Sequence, residues 1–129
     1  MDGACVLIVD DEPDMHTLFD LMLRPLRVHV RHALSGRDAL ALVAASRPGL
    51  IVLDLMMPEM DGGEVLARLS RSADTATIPV IIHSANPALY RGAHRPWPAQ
   101  VVDVIEKSTV TAAELRRRIR QVIESHTTA

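Results

Sequence analysis

Short, continuously apolar runs alternate with stretches of helical periodicity along the whole chain. Residues 5–9, Cys-Val-Leu-Ile-Val, are too few for a stable helix and rich in branched side chains, which predicts a buried strand. Asp11 before Glu12-Pro13 predicts an N-cap and a first-turn proline. Met15, Leu18, Phe19, Met22 and Leu23 then recur at helical spacing until Pro25. Residues 28–33 predict a weaker second strand, with Val28 and Val30 alternating with His29 and Arg31. Ser35 is placed to cap a helix to about Ser46, with Ala39, Leu40, Leu42 and Val43 inward and Pro48-Gly49 closing it.

Residues 50–53 predict the third strand, which ends at Asp54 and the loop 55–60. Asp61 and Glu64 stand at capping-box spacing and open a helix through Val65, Leu66 and Leu69. Residues 79–82 predict a fourth strand, followed by His83 and Ser84, and residues 101–105 a fifth. Residues 111–125 predict a last amphipathic helix with Leu115, Ile119, Val122 and Ile123 on one side. Between the fourth and fifth strands, Pro87, Gly92, Pro96 and Pro98 limit any helix to about two turns near residues 87–93. Apolar strands alternating with helices imply an α/β domain, a parallel sheet with helices on both faces. With no repeat or linker in view, residues 1–129 are expected to form one domain with its core at about 4–125.

Composition narrows the picture. At 129 residues, 48% hydrophobic and 23% charged, the chain has enough apolar material for a core. A net charge of −2 argues against a nucleic-acid partner, and no apolar run reaches the roughly 18 residues of a membrane helix. The single Cys5 excludes an internal disulfide, and a reducing cytoplasm is the expected setting. Of 14 basic residues only Lys107 is a lysine, which singles it out. Arg116-Arg117-Arg118 with Arg120 reads as the wet face of the last helix, or as a contact for an acidic partner. His16, His29, His32, His83, His94 and His126 show no metal-ligand spacing, and Trp97 is either a loop anchor or an exposed contact.

In a parallel sheet, ligands gather at the C-terminal ends of the strands. Here those ends carry Asp10-Asp11, Asp54, His83-Ser84 and Glu106-Lys107. Carboxylates brought that close repel one another, and a hard divalent cation with oxygen ligands relieves the repulsion while keeping sites for phosphate. The rim is therefore suited to Mg²⁺ and a phosphoryl group.

Asp10-Asp11, Asp54 within DLMMPEMDG, Ser84-Ala85 and Lys107 resemble, in order and spacing across the chain, the receiver domain of two-component response regulators. The resemblance implies a doubly wound, flavodoxin-like, five-stranded sheet in the order 2-1-3-4-5. It implies that Asp54 accepts a phosphoryl group from a sensor histidine kinase or phosphotransfer protein. Asp11, Asp54 and the Met56 backbone carbonyl would hold Mg²⁺, with Asp10 acting through water. Lys107 would pair with phosphoryl oxygens, Ser84 would donate to one, and Pro58 and Gly62 would shape the loop beneath the acceptor. A downstream output protein or domain would read the state.

Three departures fall on one side. Val104 stands where the family usually places Tyr, Phe or His, and Ser108 stands where it usually places proline. The third is the broken pattern over 86–100, and reordering of that segment is the expected readout. Met56 and Asn86 offer no base to position water, which predicts slow hydrolysis of the acyl phosphate. Two rivals remain: a receiver-like scaffold that binds without phosphorylation, and an aspartyl-nucleophile phosphatase. The phosphatase would need a second aspartate where Met56 stands.

Overall fold

The computed structural model describes residues 4–87 and 97–127. Among these, five strands form one parallel sheet: β1 (Cys5–Val9), β2 (His29–Ala33), β3 (Leu50–Leu53), β4 (Val80–Ser84) and β5 (Val101–Glu106). Their order is β2-β1-β3-β4-β5, as expected. Four helices among the described residues cover it: α1 (Pro13–Leu23), α2 (Gly36–Ala45), α3 (Gly62–Arg71) and α4 (Ala112–Thr127). None of the described helices is long and apolar enough to cross a membrane. The short helix anticipated near residues 87–93, with His94, lies outside the described residues apart from Pro87.

Because successive side chains of a strand point to opposite faces, each strand feeds two apolar layers. Leu7, Val9, Ile51, Leu53 and Ile82 pack with Ala39 and Val43 of α2 and Val65, Leu66 and Leu69 of α3. Val6, Ile8, Val52, Ile81 and Ile105 pack with Phe19, Met22 and Leu23 of α1 and Leu115, Ile119 and Ile123 of α4. Trp97 lies against the first layer, which makes it an anchor for the loop.

The caps mostly follow the sequence. Ser35 Oγ accepts from the Asp38 N–H at 3.1 Å, and Asp61 Oδ1 accepts from the Glu64 N–H at 2.9 Å. Glu64 turns outward to Arg68 instead of back to the cap, so only half of the capping box forms. The start of α1 corrects the expectation. Its N-cap is Glu12, with no side-chain bond, and Asp10 Oδ1 takes the Glu12 N–H at 2.9 Å. Asp11 is thereby left out of helix capping. The buried face of α1 is also rotated: His16 is buried with Phe19, Met22 and Leu23, whereas Leu18 is 40% exposed. After α1 the chain tightens into a 3-10 turn at Arg24–Leu26, and Arg27 leaves it in the left-handed region at φ 56°.

One irregularity sets the register at the site. Val80 pairs with Val101 but Ile81 pairs with Asp103, so Val102 is extruded and 41% exposed. Val101 and Val104, three apart, then pack in the same layer. An extra residue in a strand flips the facing of everything after it. This bulge is what brings Glu106 opposite Ser84 and starts Lys107 just beyond the strand end, where its N–H donates to Ser84 O at 2.9 Å.

Candidate functional site

The rim of the sheet gathers the acids from two strand ends. The Asp10 N–H still bonds to Ala33 O at 3.1 Å, and the Asp54 N–H bonds to Val9 O at 2.9 Å, so the ladder fixes both backbones just past β1 and β3. Oxygen atoms of Asp10, Asp11 and Asp54 lie within 4.8 Å of one another. Asp10 and Asp54 are 2% and 3% exposed, and Asp11 is the most open of the three.

Beneath Asp54 the first residue of α3 presses on the backbone. A Cβ at Gly62 would sit 2.1 Å from Asp54 O, so only glycine permits this approach. The Gly62 N–H closes the loop by donating to Leu55 O at 2.9 Å, and Glu59 takes a left-handed φ of 66° within it. The Met56 N–H donates to Asp54 Oδ1 at 3.2 Å, while its side chain stands 48% exposed and Met57 is buried.

Lys107 Nζ reaches into this cluster, 2.9 Å from Asp10 Oδ2 and 3.4 Å from both Asp54 Oδ2 and Glu12 Oε1. Burial works against the ammonium, but its bond to Asp10 and the charges of Asp10, Asp54 and Glu12 outweigh that and hold its pKa above the ordinary value. For Asp54 the balance falls the other way. Burial pushes its carboxyl above the ordinary range despite Lys107, with Asp10 adding to the rise and the Met56 N–H opposing it. Ser84 Oγ, buried at the end of β4, makes no hydrogen bond of normal geometry, yet lies near enough to Asp54 to favour its charged form. A buried hydroxyl without a partner is an uncommon expense, and here it faces the acids.

The residue types fit a hard divalent cation. Three carboxylates, those of Asp10, Glu12 and Asp54, contact one ammonium, Asp11 joins Asp10 and Asp54 within the same cluster, and the donor set is all oxygen. One lysine cannot offset so much negative charge.

Asp10, Asp11, Asp54, Ser84 and Lys107 are thus brought to one rim, and Met56 stands two residues from Asp54 in the adjoining loop. Glu12's reach to Lys107 and the burial of His16 behind Asp10 are not signalled by the sequence pattern. They arise where the start of α1 meets the ends of β1, β2 and β5. The arginine run is largely committed within the molecule: Arg117 to Glu114, Arg118 to Asp103, and Arg116 to Met22 O at 3.5 Å.

Known proteins share this plan. Over 80 residues the chain is 40% identical to the DNA-binding dual master transcriptional regulator RpaA of a Synechocystis species, covering 62% of this chain and 33% of that protein. It is 34% identical to the nitrogen assimilation regulatory protein NtrX of Azorhizobium caulinodans, over 95% of this chain and 30% of that one. The chain therefore spans about a third of the length of these two relatives. The receiver domain of a signal transduction histidine kinase from Syntrophus aciditrophicus superposes with a TM-score of 0.83 at 26% identity, covering 98% and 95% of the two chains. The family model for the response regulator receiver domain matches residues 6–120. A match running from the first strand into the last helix leaves one assignment: the chain belongs to the response regulator receiver domain family.

Proposed function

We propose that Asp54 is the phosphoryl acceptor of a phosphotransfer reaction whose donor is the phosphohistidine of a sensor histidine kinase or phosphotransfer protein. The observation that carries this reading is the meeting of Asp10, Asp11 and Asp54 within 4.8 Å, with Lys107 touching two of them. An Asp54 carboxylate oxygen forms the new O–P bond as the donor's N–P bond breaks, and the leaving imidazole keeps the electron pair and takes up a proton. Asp11, Asp54 and the Met56 carbonyl are the residues that would hold Mg²⁺, with Asp10 behind them. When bound, that ion supplies charge neutralisation at the phosphoryl oxygens.

The side chains divide the remaining work. Lys107 already sits 3.4 Å from Asp54 and can follow the phosphoryl oxygens as a charged donor. Ser84 Oγ, without a partner at rest, gains one by donating to a phosphoryl oxygen. The new bonds pull the ends of β4 and β5 towards Asp54, and a downstream output protein or domain reads that change.

The test is a Phos-tag gel after incubation with acetyl phosphate and Mg²⁺. A retarded band is expected for the wild type and none for Asp54→Ala or in EDTA. A band that persists in folded Asp54→Ala would move the acceptor elsewhere. No band in any sample would favour the phosphorylation-independent scaffold.

A further inference from the structure

Asp10 is buried where β1 stops, and this leaves a difficulty. Its N–H is satisfied by β2, but its carbonyl has run past the ladder. A buried carbonyl without a donor has lost the hydrogen bonds that water supplied and gained none in return. His16, from α1, meets the need: its Nε2 lies 2.7 Å from Asp10 O. His16 is 7% exposed, and its other nitrogen, Nδ1, lies 2.6 Å from Nδ1 of His32 in β2. His32 Nε2 in turn meets Asp20 Oδ1 of α1 at 2.8 Å. The two rings are edge to face, with centroids 4.7 Å apart and planes at 71°.

Acceptor chemistry settles the sense of the first contact. The Asp10 carbonyl can only accept, so the His16 Nε2 carries a hydrogen and donates to it. His32 Nδ1 meets the ring nitrogen of His16 that Asp10 does not engage. His16 is held in both ring orientation and donor sense.

We propose that His16 is a positioning residue for the acidic site, and that His32 and Asp20 hold it in that role. The inference rests on the reading of Asp10, Asp11 and Asp54 as a divalent-cation site. The Asp10 backbone is pinned on one side by the bond of its N–H to Ala33 and on the other, in the peptide that leads to Asp11, by the bond of its carbonyl to His16. The Asp10 carboxylate is held separately by Lys107 and the Glu12 N–H, each at 2.9 Å. With these anchors in place the direction in which Asp11 leaves the strand is set before any ion arrives. Partners that orient metal ligands from behind commonly govern affinity by about 10- to 100-fold when removed.

Mn²⁺, which shares the oxygen preference of Mg²⁺ and is read directly by electron paramagnetic resonance, is the probe, at one neutral pH throughout. Wild-type protein is expected to bind it, and His16→Leu to bind it about tenfold more weakly. His16→Gln, whose amide nitrogen can take the place of Nε2, is expected to recover most of the loss. His32→Leu is expected to fall between. Histidine ¹⁵N spectra supply a readout apart from ion binding: the Nε2–H tautomer of His16, held in the wild type and mixed in His32→Leu. Unchanged affinity in folded His16→Leu overturns the proposal, as does a Gln variant as weak as the Leu variant. If His16→Leu does not fold, His32→Leu carries the comparison, and a mixed His16 tautomer with unchanged affinity overturns the proposal. Wild-type protein that takes up no Mn²⁺ overturns the cation-site reading itself, a result distinct from any of these.

Discussion

Along β3, Leu50, Ile51, Val52 and Leu53 are each at most 1% exposed and belong to the two apolar layers; one residue further, Asp54 is nearly as buried but faces Asp10, Asp11 and Lys107. The same strand therefore contributes first to the core and then to a cluster of like charges. In the interior, burial and stability run together, since each apolar side chain removed from water contributes favourably. At the rim they oppose one another, because burying carboxylates beside carboxylates disfavours the charged state the chemistry needs. Substitutions in the two regions should therefore differ in the sign of their effect on stability.

The largest effect is expected in the interior. Phe19 is fully buried between the sheet and α4, with its ring edge-on to His83 at 5.5 Å between centroids. Phe19→Ala should cost about 3–5 kcal/mol in urea unfolding. The molecules that remain folded should still accept phosphate at Asp54. A loss of only about 1 kcal/mol would show that the layer between α1 and α4 collapses around the gap, and would weaken the contrast.

His83 sits on the border between the regions and sharpens the comparison through pH. Burial, and secondarily the charge of Lys107, hold its pKa down at about 4 against an ordinary 6.5, while Asp10 pulls the other way. The unfolded chain thus takes up this proton near pH 6.5 and the folded chain only near pH 4. The resulting stability is complete above pH 6.5 and is lost as pH falls towards 4, by about 3 kcal/mol. Urea midpoints across that window should fall for the wild type and fall much less for His83→Leu. Parallel curves would place the acid sensitivity in other groups.

Much of the molecule is legible in its residue pattern because the interior obeys periodicity. The runs at 5–9 and 50–53 are continuously apolar since both faces of a parallel strand are covered, and they emerge as strands at the expected bounds. Ser35 and Asp61 announce their helices by short-range hydrogen bonding that tertiary contacts leave alone. The misread positions are those where distant groups decide. Leu18 fits a helical stripe as well as His16 does, and only the Asp10 carbonyl and His32 reward turning His16 inward. Asp11 reads as a cap because caps are local, yet Asp10 takes the Glu12 N–H and leaves Asp11 at the rim. The bulge at Val102 is invisible in an apolar run, since it depends on how β5 meets β4. The rim acids and Lys107 were readable for a different reason: charge at the end of an apolar strand has few structural explanations.

The smallest expected effect has the opposite sign and tests the comparison most directly. Burial, reinforced by Asp10, holds the Asp54 carboxyl above its ordinary 3.8 in spite of Lys107. A group raised in this way contributes most below its unfolded value, and that contribution is lost as pH rises through the folded one. At pH 7, without divalent ions, the charged Asp54 is therefore a burden on the fold. Asp54→Asn keeps the shape, removes the charge and leaves Lys107 its bond to Asp10. It should raise stability by about 1 kcal/mol while abolishing the phosphorylated band. The gain should vanish below pH 3.8, where the wild-type carboxyl is neutral in both states, and should narrow when Mg²⁺ is added, because an ion bound only by the folded wild type stabilises it. A destabilised Asp54→Asn would mean that the Lys107 contact outweighs the cost of burial, and that rim and interior follow one rule after all.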